Sequence, residues 1–277
     1  MKGMFYDLFL IDELDVSNFN TRYVKDMSNM FLYCSSLTSL DLNNFDTSQV
    51  TNMNNMFQRC SNLIILDLSH FNTEKVEDMS NMFTDCENLQ EVDISSFSTT
   101  KVKDMSKMFK GCNSLSQLDL SNFNTENVED MNSMFFSCSS LSKLIISSFN
   151  TKKVKDMSKM FSDCSNLKEL DLSSFDTSQV EDMSFMFQRC SYLRKLDLQN
   201  FNTSKVVEMA NMFTKCTALT SLDVSKFNTE NVVDMCTMFS YLINVKEIDV
   251  SQFVTKKVED ITRMKYAQQV VREDQHI

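Results

Sequence analysis

The stretch LTSLDLNNFDTSQVTNMNNMFQRCSN, residues 37–62, contains one complete structural unit. Leu37, Leu40 and Leu42 stand in an L-x-x-L-x-L spacing. The step from Leu40 to Leu42 alternates as a strand does, with Asp41 directed to the opposite side. Phe45 follows where the chain turns off the strand. Asp46 and Thr47 are side chains that bond nearby backbone and support a turn without glycine. Val50, Met53, Met56 and Phe57 then recur at steps of three, three and one, which predicts a short α- or 3₁₀-helical segment. In most units an Asp precedes the first Met, as Asp78 precedes Met79, and suits the N-cap of that segment. Cys60 and Leu63 lead back to the next strand.

Outward from this stretch, the same unit returns every 26 residues. Phe19 recurs to Phe253, Val24 to Val258 and Thr21 to Thr255, and no unit gains or loses a residue. All 21 methionines fall in two columns, Met1 to Met235 and Met4 to Met264. Insertion-free repetition at this period predicts a stacked solenoid of the α/β repeat class, one parallel strand and one short helical segment per coil. A partial unit spans 1–13, and units start at 14, 40, 66, 92, 118, 144, 170, 196, 222 and 248. They make a single solenoid of about ten coils over 1–273, with the pattern decaying in the tail 265–277. Leu37, Leu40, Leu42, Phe45, Val50, Met53, Met56, Phe57 and Cys60 are expected to point inward. One coil alone cannot cover so much apolar surface, so neighbours must stack. In-register strands about 4.8 Å apart would give a parallel sheet roughly 50 Å long. Helices are wider than strands, so that sheet is expected on the concave side.

The chain has 277 residues, no Pro and two glycines, Gly3 and Gly111. Phosphate-cradling glycine loops and dinucleotide fingerprints are excluded, because they need clustered glycines to bring backbone close to phosphate. Apolar runs such as Leu8–Ile11 are far too short to cross a bilayer. The net charge of −11, from 27 basic and 38 acidic residues, is the wrong footprint for nucleic acid or an anionic membrane. With two histidines, His70 and His276, little is present for histidine-based catalysis or metal binding. His70 replaces Asn or Ser of neighbouring units and reads as surface variation. No enzyme, cofactor or metal is expected.

The L-x-x-L-D-L-S-x-F core resembles a leucine-rich repeat. The full unit, with V-x-D-M-S-x-M-F-x-x-C-x-x-L, resembles the BspA-like repeats of bacterial and protist surface proteins. The resemblance runs from Met1 to about Met264. It implies a cell-surface or secreted module used for adhesion and protein binding, without catalysis. The alternative is an intracellular scaffold or self-assembling repeat protein. Two features point that way: the chain opens midway through a unit, and no basic-plus-apolar leader precedes it. An uncapped coil would favour end-to-end association.

Three columns are candidates for chemistry. The second strand position reads Asp15, Asp41, Asp67, Asp93, Asp119, Asp171, Asp197, Asp223 and Asp249, broken by Ile145. As a functional surface it is an acidic strip that attracts a cationic segment of a protein or other macromolecular partner. As local structure, each Asp bonds its own backbone or a nearby Lys. Ca²⁺ would find all its ligands in one flat row, a poor cage. The candidate partner-binding residues are Asp41, Asp67, Asp93, Asp119, Asp171, Asp197 and Asp223. Lys143 and Ile145 join them, because Ile145 opens a small apolar window beside a base. A second acidic column, Asp26 to Asp260 with Asn52 and Glu208 as variants, is expected to cap the helical segments. Eight cysteines, Cys34 to Cys216, share a third column, and Cys236 stands apart. A spacing of 26 is not zinc-ligand spacing. Buried thiols and cross-coil disulfides both remain open for these eight.

Overall fold

Equivalent residues of successive units lie side by side in the computed structural model, which describes residues 1–259 and the backbone of Val271–Arg272. Asp260, Ile261, Met264 and, apart from the backbone of Val271–Arg272, the tail 265–277 lie outside the described residues. The most continuous backbone feature is a parallel ladder through the second acidic column. Asp26 bridges Asn52, Asn52 bridges Asp78, and the series continues without a gap to Glu208 and Asp234. In each coil the residue before this column also donates to its predecessor. Glu77 N–H bonds Thr51 O at 2.9 Å, and Lys103 N–H bonds Glu77 O at 2.9 Å.

The expected helical segment is not formed: among the described residues there is no helix. The chain instead runs through consecutive tight turns, Met53 O to Met56 N–H, Asn55 O to Gln58 N–H and Phe57 O to Cys60 N–H. The intervening amides point along the stack. Met53, Asn55, Phe57 and Arg59 donate to Asp78, Ser80, Met82 and Thr84 of the next coil, at 2.7–3.1 Å. A helix would use every amide internally and leave none to join the coils. The alternation requires a left-handed residue twice per coil. Asn55 (φ 55°) and Arg59 (φ 60°) follow a pattern that also includes Lys107, Phe185 and Thr237. An L-residue pays about 1–2 kcal/mol for that conformation, so the inter-coil bonds must outweigh it. Asn at 29, 55, 81 and 211 tolerates it best. Gly111 takes the second position (φ 72°), where an added Cβ would lie 2.5 Å from Asp85 Oδ1.

The leucine strands are short. β1 (Ile65–Asp67) pairs in parallel with β2 (Glu91–Asp93), and β3 (Gln117–Asp119) with β4 (Lys143–Ile145). β5 (Ile248–Asp249) pairs with β6 (Val271–Arg272). These are separate two-stranded sheets, not one sheet along the stack. Without helices, the reason for placing the strands on a concave side also falls away.

Between the two faces lies one core of the predicted columns. Met53, Met56, Phe57, Cys60 and Leu63 are completely buried, as are their equivalents in neighbouring units. The phenylalanine rings following the second Met stack from Phe5 to Phe239 without interruption. Successive centroids are 5.3–6.1 Å apart and interplanar angles do not exceed 17°. This is the offset arrangement aromatic rings prefer.

The threonine column does more than support a turn. Thr125 is fully buried; its Oγ1 donates to Asn150 O at 2.9 Å and accepts from Asn150 N–H at 2.8 Å. The same reciprocal pair joins Thr47 to Asn72 and Thr203 to Asn228. Valine matches threonine in shape but leaves the Asn150 amide and carbonyl without their inter-coil partner. Thr125→Val should therefore cost about 2 kcal/mol in urea unfolding; an unchanged midpoint would contradict the clamp.

Candidate protein-binding face

Each strand Asp is exposed and its carboxylate is tied down locally. Oδ1 of Asp67, Asp93, Asp119 and Asp171 accepts the amide of Ser69, Ser95, Ser121 and Ser173 at 2.9–3.0 Å. Asp41 does the same with Asn43, Asp197 with Gln199 and Asp223 with Ser225. Gln199 Nε2 additionally reaches Asp223 Oδ2 at 2.7 Å. Bonds from the serine hydroxyl and amide hold Asp67 and Asp171 below the usual carboxylate range. For Asp119 the Ser121 amide and hydroxyl do this, with Lys143 adding a smaller attraction. The row is thus an array of turn-closing carboxylates on rigid backbone. Lys143 is exposed and Ile145 half-buried, on β4 directly beside Gln117 and Asp119 of β3. An open groove of about 530 Å³ lies over β1, β2 and β3, within this face.

The second acidic column is half-buried along the ladder. It does not cap helices; Oδ1 of Asp130, Asp156 and Asp182 accepts the amide two residues on, at 2.7–2.8 Å. Burial raises the carboxyl groups of Asp130, Asp182 and Glu208 above their ordinary values, and acidic neighbours in the column add to it.

The eight column cysteines are buried thiols, and each donates to a backbone carbonyl of the preceding coil. Cys86 Sγ reaches Phe57 O at 3.1 Å and Cys138 Sγ reaches Phe109 O at 3.1 Å. Burial pushes Cys86, Cys138 and Cys216 up to about 12, which removes thiolate nucleophilicity. Among the described residues, no group of three or more His, Cys, Asp or Glu gathers as a metal cage. No helix among them is long and apolar enough to cross a membrane.

His70 is not mere surface variation. Its Nε2 lies 2.7 Å from Leu42 O, doing what Asn44, Ser96, Asn122 and Asn200 do in other coils, each donating to carbonyls of the coil before. The signal was present in the sequence: every residue seen at these positions can donate a hydrogen bond. The threonine column carried a similar signal, since a turn alone would accept Ser or Asn there.

These features define a leucine-rich-repeat solenoid. The chain matches the family described as "Mycoplasma protein of unknown function, DUF285" over residues 1–118, 112–218 and 191–276. It belongs to that family, whose repeats are of the BspA-like leucine-rich type. Its fold is similar to that of a leucine-rich cell surface protein from Faecalibacterium prausnitzii. That match has a TM-score of 0.50 and 17% identity, covering 91% of this chain and 70% of the other. A leucine-rich repeat protein from Bacteroides ovatus matches with a TM-score of 0.28 and 16% identity, over 86% of both chains. An internalin from Listeria monocytogenes matches with 0.25 and 16%, over 88% of this chain and 75% of that one. No curated protein matches the sequence.

Three carboxyl groups of the second column oppose those of the strand row in pH, whereas Asp26 at the start of that column is lowered as the strand row is. Asp130, Asp182 and Glu208, raised in the fold, bind protons more tightly folded than unfolded, so their contribution is lost as pH rises through their folded values. Asp15, Asp67, Asp119, Asp171 and Asp223, lowered in the fold, contribute above the ordinary carboxylate value. Their contribution is lost as pH falls through their folded values. Stability should therefore be greatest near the ordinary carboxylate values and fall on either side of them, toward the folded values of each set. Asn52 already fills an equivalent of Asp182 and accepts Asn54 N–H through Oδ1 at 2.8 Å. Asp182→Asn should accordingly gain about 0.5 kcal/mol at neutral pH and nothing in mild acid. Thermal unfolding across this range checks both; a loss at neutral pH would refute the assignment.

Proposed function

We propose that the chain is a non-catalytic protein-binding module of the adhesion type, displayed on a cell surface or secreted, whose ten units act as one solenoid over 1–273. Its partner docks on the strand face. The observation carrying this reading is the row Asp41, Asp67, Asp93, Asp119, Asp171, Asp197 and Asp223, exposed and oriented by a bond from each carboxylate to its own turn. Charges already held in place need no ordering when a partner arrives, which reduces the entropic cost of binding. A single-sign row also steers a cationic partner and repels phosphate, so a basic protein surface fits it and nucleic acid does not. Ile145, with Lys143 beside it, interrupts the row and would set the partner's register by an apolar contact.

A photo-crosslinking residue placed at Gln199 on this face, and another at Lys103 on the ladder, would locate the contact in source cells. Adducts are expected from Gln199 and not from Lys103. They should fade as salt rises from about 50 to 500 mM, and when Asp67, Asp119, Asp171 and Asp223 are all changed to Lys. Adducts from Lys103 alone, or contact that ignores salt and charge reversal, would remove the strand-face reading. Adducts with a second copy of the chain would put the self-assembling scaffold first.

A further inference from the structure

In a chain of net charge −11, one corner of the strand face is basic. Lys168 and Arg194 occupy the same position of adjacent coils, just before the strand segment. The equivalent positions from Thr38 to Ser142, and Thr220 beyond, are uncharged. Lys195 follows Arg194, and all three side chains are exposed. The backbone beneath them is fixed. Leu167 and Leu193 are completely buried, Tyr192 N–H bonds Ser165 O at 3.2 Å and Arg194 N–H bonds Lys168 O at 3.4 Å. Lys168 and Arg194 are therefore held about one strand spacing, roughly 5 Å, apart at the backbone.

Like charges placed side by side oppose folding, and the chain does not relieve these. The ion pairs among the described residues use Arg59, Lys103, Lys155 and Arg189 as cations, and none involves Lys168, Arg194 or Lys195. Glu169, between Lys143 and Lys195 in its column, pairs with neither. A further departure adjoins them: Tyr192 is 56% exposed and stands where other coils from 36 to 244 carry Ser, Asn or Ala. Tyrosine and arginine are residue types that anchor interfaces.

Two unpaired cations this close are matched by a carboxylate that approaches both. Along the same coils lie Asp171 and Asp197, also exposed. Lys195 and Asp197 flank Leu196, which packs on the core, so both face outward about 7 Å apart. A polyanion such as nucleic acid or a sulfated glycan would carry its charge onward over these carboxylates and be repelled. An extended protein segment with an acidic and a basic side chain two residues apart meets both charges.

We propose that Lys168, Arg194 and Lys195, with Tyr192 beside them, receive an Asp or Glu side chain of the protein partner, whose neighbouring Lys or Arg rests on Asp171 and Asp197. This rests on the strand-face reading and adds to it the acidic half of the partner's docking segment. The corner also fixes where along the solenoid and in which direction that segment lies, which a row of one sign cannot do.

Fluorescence anisotropy with the intact chain at about 50 mM salt tests this, using a labelled peptide that repeats Glu-Thr-Lys-Thr three times. A second peptide carries Gln in place of each Glu. Wild-type chain should bind the first about tenfold more tightly. Lys168→Gln combined with Arg194→Gln should abolish that preference, weakening the Glu peptide about tenfold and changing the Gln peptide by less than about twofold. Both changes remove exposed side chains without partners, and an unaltered thermal midpoint checks that the fold is intact. Lys101→Gln combined with Lys103→Gln, outside the strand face, should alter neither affinity by more than about twofold. Asp171→Asn combined with Asp197→Asn should weaken both peptides alike, because it removes only the contact to lysine. No preference for Glu in the wild type, or one that survives the Lys168 and Arg194 changes, would overturn the corner while leaving the strand face to the cross-linking result. Tighter binding of polyglutamate or single-stranded DNA than of the mixed peptide, lost in the same variant, would overturn it in favour of a polyanion.

Discussion

Every coil of this protein must answer the backbone groups of the coil beside it. Amides at Met53, Asn55, Phe57 and Arg59 point along the stack, where only a carbonyl one coil away can reach them. A buried amide left without a partner is costly, so register between coils is not negotiable. One inserted residue would displace every partner from the insertion onward. That is why a spacing of 26 persists from Phe19 to Phe253 without a single slip.

The side-chain columns follow from the same constraint. Thr125 binds both the amide and the carbonyl of Asn150, Cys138 donates to Phe109 O, and His70 lies against Leu42 O. Each of these polar groups serves a neighbouring coil, which is why they sit beside phenylalanine and methionine with so little exposure. The left-handed positions show the strength of the requirement. Phe185 and Thr237 adopt positive φ, a conformation poorly suited to bulky or β-branched residues, because the alternating pattern of turns leaves no other place for their amides.

Variation is freest among the exposed side chains of the strand face. The first strand residue changes from Ile65 to Glu91, Gln117 and Lys143. The break in the Asp row at Ile145 is a departure that leaves the coil-to-coil bonds untouched. A surface of this kind can acquire specificity one residue at a time over an invariant frame, as the extended faces of repeat proteins do. The Asp row combines both roles: one oxygen closes the turn, and the charge itself faces solvent.

Much of this was legible in the sequence, because a column repeated without exception reports burial or bonding at that place in every coil. The period, the stacked solenoid, the inward Leu, Met and Phe columns and the outward Asp row all follow from residues such as Leu40, Asp41 and Phe57 and their spacing. What escaped was the backbone between Val50 and Cys60. Inward positions at steps of three, three and one fit a helix and a chain of tight turns equally well, since both bring Val50, Met53 and Met56 to one side. The choice falls to the partner of each amide. Within a single unit that partner would be a carbonyl four residues back; in the stack it is one in the next coil, and only the tertiary structure contains it. For the same reason the continuous ladder lies at Asp26 to Asp234 and not at the leucines. The strand face consequently has a gap between β2 and β3 that no reading of one 26-residue unit discloses.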